Sequence, residues 1–189
     1  MPTALELVAE EARGCTRCAL AAGRTNVVFG MGDPDADLLF IGEGPGEQED
    51  LQGLPFVGRS GQLLDRLLLE ELGITRDQTY IANCVKCRCP GNRDPLPDEL
   101  AACTPYLAQQ IELIAPKVIV TLGNFATKYV LQTKEGITKL RGRTHPHESG
   151  AVVVPTFHPA AVLRGGAEPM AQMRADLVRA KLVLDGVSV

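Results

Sequence analysis

At 189 residues the chain can bury a full core without outside help. No apolar run approaches the ~18 residues that cross a bilayer, and no charged-then-apolar leader opens the chain. One domain over 1–189 is therefore expected, a cytoplasmic monomer with no membrane partner. A net charge of −4 argues against indiscriminate coating of nucleic acid but leaves room for a local basic footprint.

Ala4–Arg13 has the helical spacing of Leu5, Val8 and Ala9 and is stopped by Gly14. Asp37–Gly42 is a short apolar run ending in glycine, as a buried parallel strand does. Ser60 can cap a helix through Leu72, with Leu63, Leu64, Leu67 and Leu68 on its buried face and Gly73 closing it. Thr79–Val85 reads as a second strand. Pro97, followed by Asp98 and Glu99, opens a helix to Ala115, because acids in a first turn suit the positive helix terminus. Val118–Gly123 is a third strand, followed by a helix over Asn124–Leu131; Ala151–Pro155 is a fourth, and Met170–Leu184 a closing helix. The pattern predicts an α/β three-layer sandwich: a four-stranded, mainly parallel sheet with helices on both faces. Ligands of such sheets bind outside the carboxyl ends of the strands.

The cysteines carry the next signal. Cys15 and Cys18 stand three residues apart and can grip one face of a metal centre, while Cys87 and Cys103 would have to be brought in by loops. That is the sulfur inventory of a tetrahedral zinc site or of an iron–sulfur cluster held by four thiolates. Three disulfides would be out of place in a cytosolic domain of this size. Cys84 lies in an apolar strand and reads as a small core residue, whereas Cys89 stays ambiguous. The stretch Arg88–Ala102 between the later cysteines is rich in Pro, Gly and Arg, so a cluster would pin a loop there. Lys86, Arg88 and Arg93 surround the third cysteine, and Lys134 to His147 carries six basic residues against Glu135 alone. These are either solvated loops or the footprint of a polyanion.

Three polar sequences fall at strand ends: Glu43–Asp50, Asn83 and His158. The first is glycine-rich but lacks the Gly-Lys-Ser/Thr ending and is crowded with acids, which disfavours a phosphate loop. A strand-to-helix turn and a catalytic loop presenting a carboxylate remain. Asn83 could tie down a turn or read a base edge with its paired donor and acceptor. His158, between Phe157 and Pro159, is a candidate site residue.

The sequence resembles the family 4 uracil-DNA glycosylases, the iron–sulfur branch of that superfamily. The likeness rests on the four cysteines, GEGPGEQED, PFVGRSGQLLD at Pro55–Asp65, NCVKC from Asn83, GNR-x-P at Gly91–Pro95, PKVIVTLG at Pro116–Gly123 and FHPAAVLR at Phe157–Arg164. The resemblance implies that Cys15, Cys18, Cys87 and Cys103 hold a [4Fe–4S] cluster. It implies an enzyme that flips uracil out of single- or double-stranded DNA and hydrolyses its N-glycosidic bond. Gly42, Glu43, Gly44, Glu49, Phe56, Asn83 and His158 would form the uracil pocket. Phe56 would stack on the base, Asn83 would read N3–H and O4, and His158 would donate to O2. Glu43 and Asn92 would orient the water, and Glu49 would shape the pocket against the thymine methyl. Arg141, Arg143 and Arg164 would meet the DNA, with Leu163 as an apolar wedge. A related branch traps uracil-DNA covalently through a histidine in a basic insertion near the cluster loop. No such insertion lies between Asn83 and Cys103, so turnover is expected over trapping or binding without cleavage.

Overall fold

The computed structural model describes residues 1–187. Helix α1 (Ala4–Arg13) begins at a Thr3 capping box and leads through a short 3-10 turn to strand β1 (Met31–Gly32). Strand β2 (Leu38–Gly42), helix α2 (Glu47–Gln52) and helix α3 (Arg59–Leu67) come next. After them lie β3 (Tyr80–Asn83), α4 (Pro97–Ile114), β4 (Val118–Leu122) and α5 (Asn124–Val130). The chain ends with α6 (Ile137–Leu140), β5 (His145–Pro146), β6 (Val152–Thr156), α7 (Pro159–Gly165) and α8 (Ala167–Leu184).

The sheet has six strands rather than four, in the order β1-β3-β2-β4-β6-β5. The central four are parallel, and the two edge strands pair antiparallel. Each edge strand is only two residues long, too short to leave a period in the sequence. Burial on both faces explains the unbroken apolar runs of the centre. Leu38 and Phe40 point into a core with Leu63, Leu64 and Leu67 of α3 and Met173 and Leu177 of α8. Leu39 and Ile41 point the other way, against Leu107 and Ile111 of α4 and Ala126 and Val130 of α5.

Other differences are local. Helix α3 is entered from Gly58, so Ser60 lies within its first turn instead of capping it, and Leu68–Leu72 continues as a π-helical turn. Helices α2, α6 and α7 are not expected from the sequence; α2 and α6, of six and four residues, are too short to carry an amphipathic pattern.

Arg141, expected at the DNA, is already engaged within the fold. Its Nε and Nη2 donate to the two carboxylate oxygens of Asp176 at 2.9 Å each, and Nη2 also donates to the Gln172 carbonyl at 2.9 Å. Asp176 is fully buried, and burial pushes its carboxyl pKa up against the pull of Arg141. The guanidinium therefore fastens the segment after α6 to α8. Arg141→Ala should strand a buried carboxylate and lower stability by about 3 kcal/mol in urea unfolding at neutral pH.

Candidate active site

The floor of the site is set by strand register. In the parallel β2–β3 pair, Gly42 lies opposite Asn83, so both strands end side by side. A Cβ at Gly42 would collide with Asn83 Oδ1 and come within 2.8 Å of the Phe56 ring, so only glycine allows the three to meet. Asn83 is 1% exposed, and its Oδ1 has no hydrogen-bond partner. A buried acceptor left bare costs roughly 1–3 kcal/mol, which marks it as a group awaiting a donor.

Phe56 is held in an uncommon conformation, with φ +51°. Such a left-handed residue costs on the order of 1–3 kcal/mol and persists only where its surroundings enforce it. Here Arg76 Nη2 donates to the Phe56 carbonyl at 2.7 Å, and Glu49 Oε1 accepts from the Val57 and Gly58 amides at 3.0 and 2.9 Å. Glu49 thus lines the cavity while serving as the clamp on the Phe56 loop. The other acids of this segment are also engaged: Asp50 accepts from the Thr25 amide at 2.9 Å, and Glu47 lies 3.7 Å from Arg88.

His158 forms the wall. It lies after β6 and caps α7, its Nδ1 accepting from the Ala160 amide at 3.1 Å. That bond occupies the Nδ1 lone pair and leaves the ring proton on Nε2. Burial, reinforced by nearby Arg164, pulls its pKa down to about 4, so the imidazole is neutral at working pH. Its ring centroid lies 5.8 Å from that of Phe56. At the end of β4, Gly123 has φ +95°, and a Cβ there would stand 2.9 Å from His158 Cβ.

A cavity of about 620 Å³ opens over this floor, and Glu43, Gly44, Glu49, Phe56, Asn83, Asn92, His158 and Arg164 all border it. Gly42 lies just beneath. Burial, and after it the neighbouring Asp94 carboxylate, pushes the Glu43 pKa up to about 7. Asn92 has φ +56°, and its side-chain oxygen accepts from Arg88 Nε at 2.9 Å. Leu163 and Arg143 do not border the cavity; both are exposed, Leu163 at 42%.

Cys15, Cys18, Cys87 and Cys103 border a separate, smaller cavity together with Arg17, Arg24 and Lys86. Cys103 reaches it from inside α4, not from a loop. The Lys86 amide donates to Cys103 Sγ at 3.1 Å, and Arg24 Nη1 to Cys87 Sγ at 3.5 Å. Cys84 packs into the core beside α4 and α5, and Cys89 borders the larger cavity instead. Among the described residues, no three His, Cys, Asp or Glu side chains gather tightly enough to hold a single metal ion.

Comparison with known proteins decides the family. The uracil DNA glycosylase superfamily matches residues 29–180. The type-4 uracil-DNA glycosylase of Thermotoga maritima is 48% identical over 179 residues, covering 94% of this chain and 93% of its own. That of Sulfurisphaera tokodaii is 49% identical, covering 84% of this chain and 76% of its own. The chain belongs to the uracil DNA glycosylase superfamily. Within it the chain falls in the type-4 group; a type-5 enzyme of Thermus thermophilus is 30% identical over 66% of this chain and 61% of its own.

For this type-4 chain, sequence reasoning missed Asp94, hidden as the variable position of GNR-x-P, although an acid inside a basic motif was a usable signal. It also missed Arg76, which pairs with Asp65 at 2.7 Å and donates to the Phe56 carbonyl, a backbone partner that leaves no pattern. The Glu49 clamp can be tested directly. Glu49→Ala should speed hydrogen exchange at the Val57 and Gly58 amides by at least tenfold while leaving the Phe40 amide as protected as before.

Proposed function

We infer that the protein is a DNA-repair glycosylase that releases uracil from DNA by hydrolysing the N-glycosidic bond, leaving an abasic site. The observation that carries this reading is the orphaned Asn83 Oδ1 at the floor of a cavity bordered by an aromatic ring. Uracil offers a matching N3–H donor beside its O4 acceptor; cytosine has no N3–H, so the same amide would leave it unsatisfied. Phe56 would stack on the flipped base. His158, with its proton on Nε2, would donate to O2 as negative charge develops on the departing uracil. A neutral imidazole suffices, and a donor so placed is typically worth roughly 3 kcal/mol of transition-state stabilisation.

Glu43 is the carboxylate available to orient water toward C1′ of the sugar, with Asn92 at the rim. Exposed Leu163 on α7 would fill the gap left by the flipped base, and Arg143 and Arg164 would meet phosphates. Single- and double-stranded uracil-DNA are both within reach of an open cavity of this kind, and one chain suffices to form it.

The four cysteines fit a [4Fe–4S] cluster. They surround one common space, and backbone and guanidinium donors already point at two of the sulfurs. When bound, the cluster would supply a rigid cross-link between the segment after α1, the loop after β3 and α4; nothing in hydrolysis moves electrons.

Release of free uracil from a uracil-bearing oligonucleotide tests the reading. His158→Ala should lower the single-turnover rate by about two orders of magnitude with little change in DNA affinity. Asn83→Asp should weaken uracil excision, because a carboxylate cannot donate to O4. A wild-type rate from Asn83→Ala would sink the recognition argument.

Glu43 also sets a pH profile. Its carboxylate form grows as pH rises through about 7, so the single-turnover rate should climb with one-proton dependence across that value. Asp94→Asn removes the neighbouring charge and should move the limb to lower pH, although burial keeps it above the ordinary carboxylate value. His158 adds no limb there, because it stays neutral until about pH 4. A profile flat from pH 6 to 8 would remove Glu43 from the chemistry.

A further inference from the structure

Lys86 is the one lysine in the buried set, 1% exposed. Isolated ammonium groups are not tolerated in protein interiors without compensation. Yet no carboxylate lies within ion-pairing distance of it among the described residues. Its Nζ donates to the Asn83 carbonyl at 2.8 Å and to Gln110 Oε1, and stands 5.6 Å from the centre of the Phe29 ring. Gln110 is itself oriented, because its Nε2 donates to the Phe29 carbonyl at 2.9 Å. Every hydrogen-bond partner of the ammonium is a dipole. The compensating charge must come from the other direction, where Lys86 borders the space shared by the four cysteines and its own amide donates to Cys103 Sγ.

We propose that Lys86 is a positioning residue that couples the four-thiolate site to uracil recognition. Its buried ammonium balances the negative charge of the metal-bound thiolates and at the same time pins the carbonyl of Asn83, the residue whose side chain faces the base. The coupling runs through a turn of four residues, Asn83 to Lys86, with the sulfur site at one end and the pocket floor at the other. Loss of the thiolate charge leaves the ammonium uncompensated, and the Asn83 backbone is then no longer held. This role rests on the cluster and glycosylase readings above, and goes beyond both by joining them.

Lys86→Met keeps the length of the side chain and removes the charge. The variant should retain wild-type iron, and the reduction potential of its bound cluster should shift to a more negative value, because net charge near a cluster sets its potential. Free-uracil binding, measured by calorimetry, should weaken about tenfold, as expected for loss of a charged hydrogen bond. An unmoved potential overturns the charge balance; a shifted potential with unchanged uracil affinity overturns the coupling to Asn83. Should Lys86→Met lose its iron, Gln110→Glu leaves the lysine in place and sets a carboxylate against its ammonium. That variant must show the same negative shift, and an unmoved potential there also overturns the proposal. Wild-type protein separates these failures from the parent readings: absence of iron defeats the cluster reading, and absence of uracil release defeats the glycosylase reading, whatever the variants do.

Discussion

The pairing of Gly42 with Asn83 across two parallel strands is the constraint on which the site depends. It aligns the ends of β2 and β3 so that the chain leaving each strand emerges at one edge. After Gly42 the chain presents Glu43; after Asn83 it turns through Lys86 toward the sulfurs. A side chain at position 42 would fill the space where the Asn83 amide and the Phe56 ring meet. The end of β4 repeats the device, because Gly123 makes room for His158. Each glycine is there because a neighbouring side chain needs the volume.

The electrostatics divide the edge into two regions. In the larger cavity the titratable groups are pushed toward their neutral forms: burial lowers His158 to about 4 and raises Glu43 to about 7. On the proposed reading, a pocket lined this way would offer donors and acceptors to an uncharged base and one N–H for the charge that develops as the bond breaks. Around the sulfurs, fixed cations dominate instead. Arg17, Arg24 and Lys86 gather there, cations that would repel one another without an anionic centre. Arg17 also stacks 4.3 Å from the centre of the Tyr106 ring, which fixes it beside Cys15 and Cys18.

Much of this was legible in the residues. The four long strands, α1, α4 and the burial of the leucine-rich α3 come from apolar runs and helical spacing. The convergence of Glu43, Asn83 and His158 comes from their places at strand ends. The hidden part is long-range and side-chain specific. The two short edge strands carry no period. Arg141 looked like one more cation in a basic run, but Asp176 lies 35 residues away and nothing local announces the pair. Glu49 looked like a pocket wall, and its bonds to two backbone amides are invisible to composition. Lys86 read as part of a basic patch, and only burial shows it to be an interior group.

The features that make the site able to bind a base are those that cost the fold stability. Phe56 sits at a positive φ, Asn83 keeps a bare acceptor, and Glu43 is held near Asp94. Each would relax if its support gave way. Supports are accordingly dense nearby: Arg76 and Glu49 grip the Phe56 loop, the Ala160 amide orients His158, and Lys86 holds the Asn83 carbonyl. All but one of these are bonds within ordinary α/β architecture. The exception is Lys86, a buried ammonium that would, in the proposed coupling, draw its compensating charge from outside the sheet. In the proposed coupling, a cluster that takes no part in hydrolysis would still govern recognition, because the cation it compensates would be the one that holds the Asn83 carbonyl.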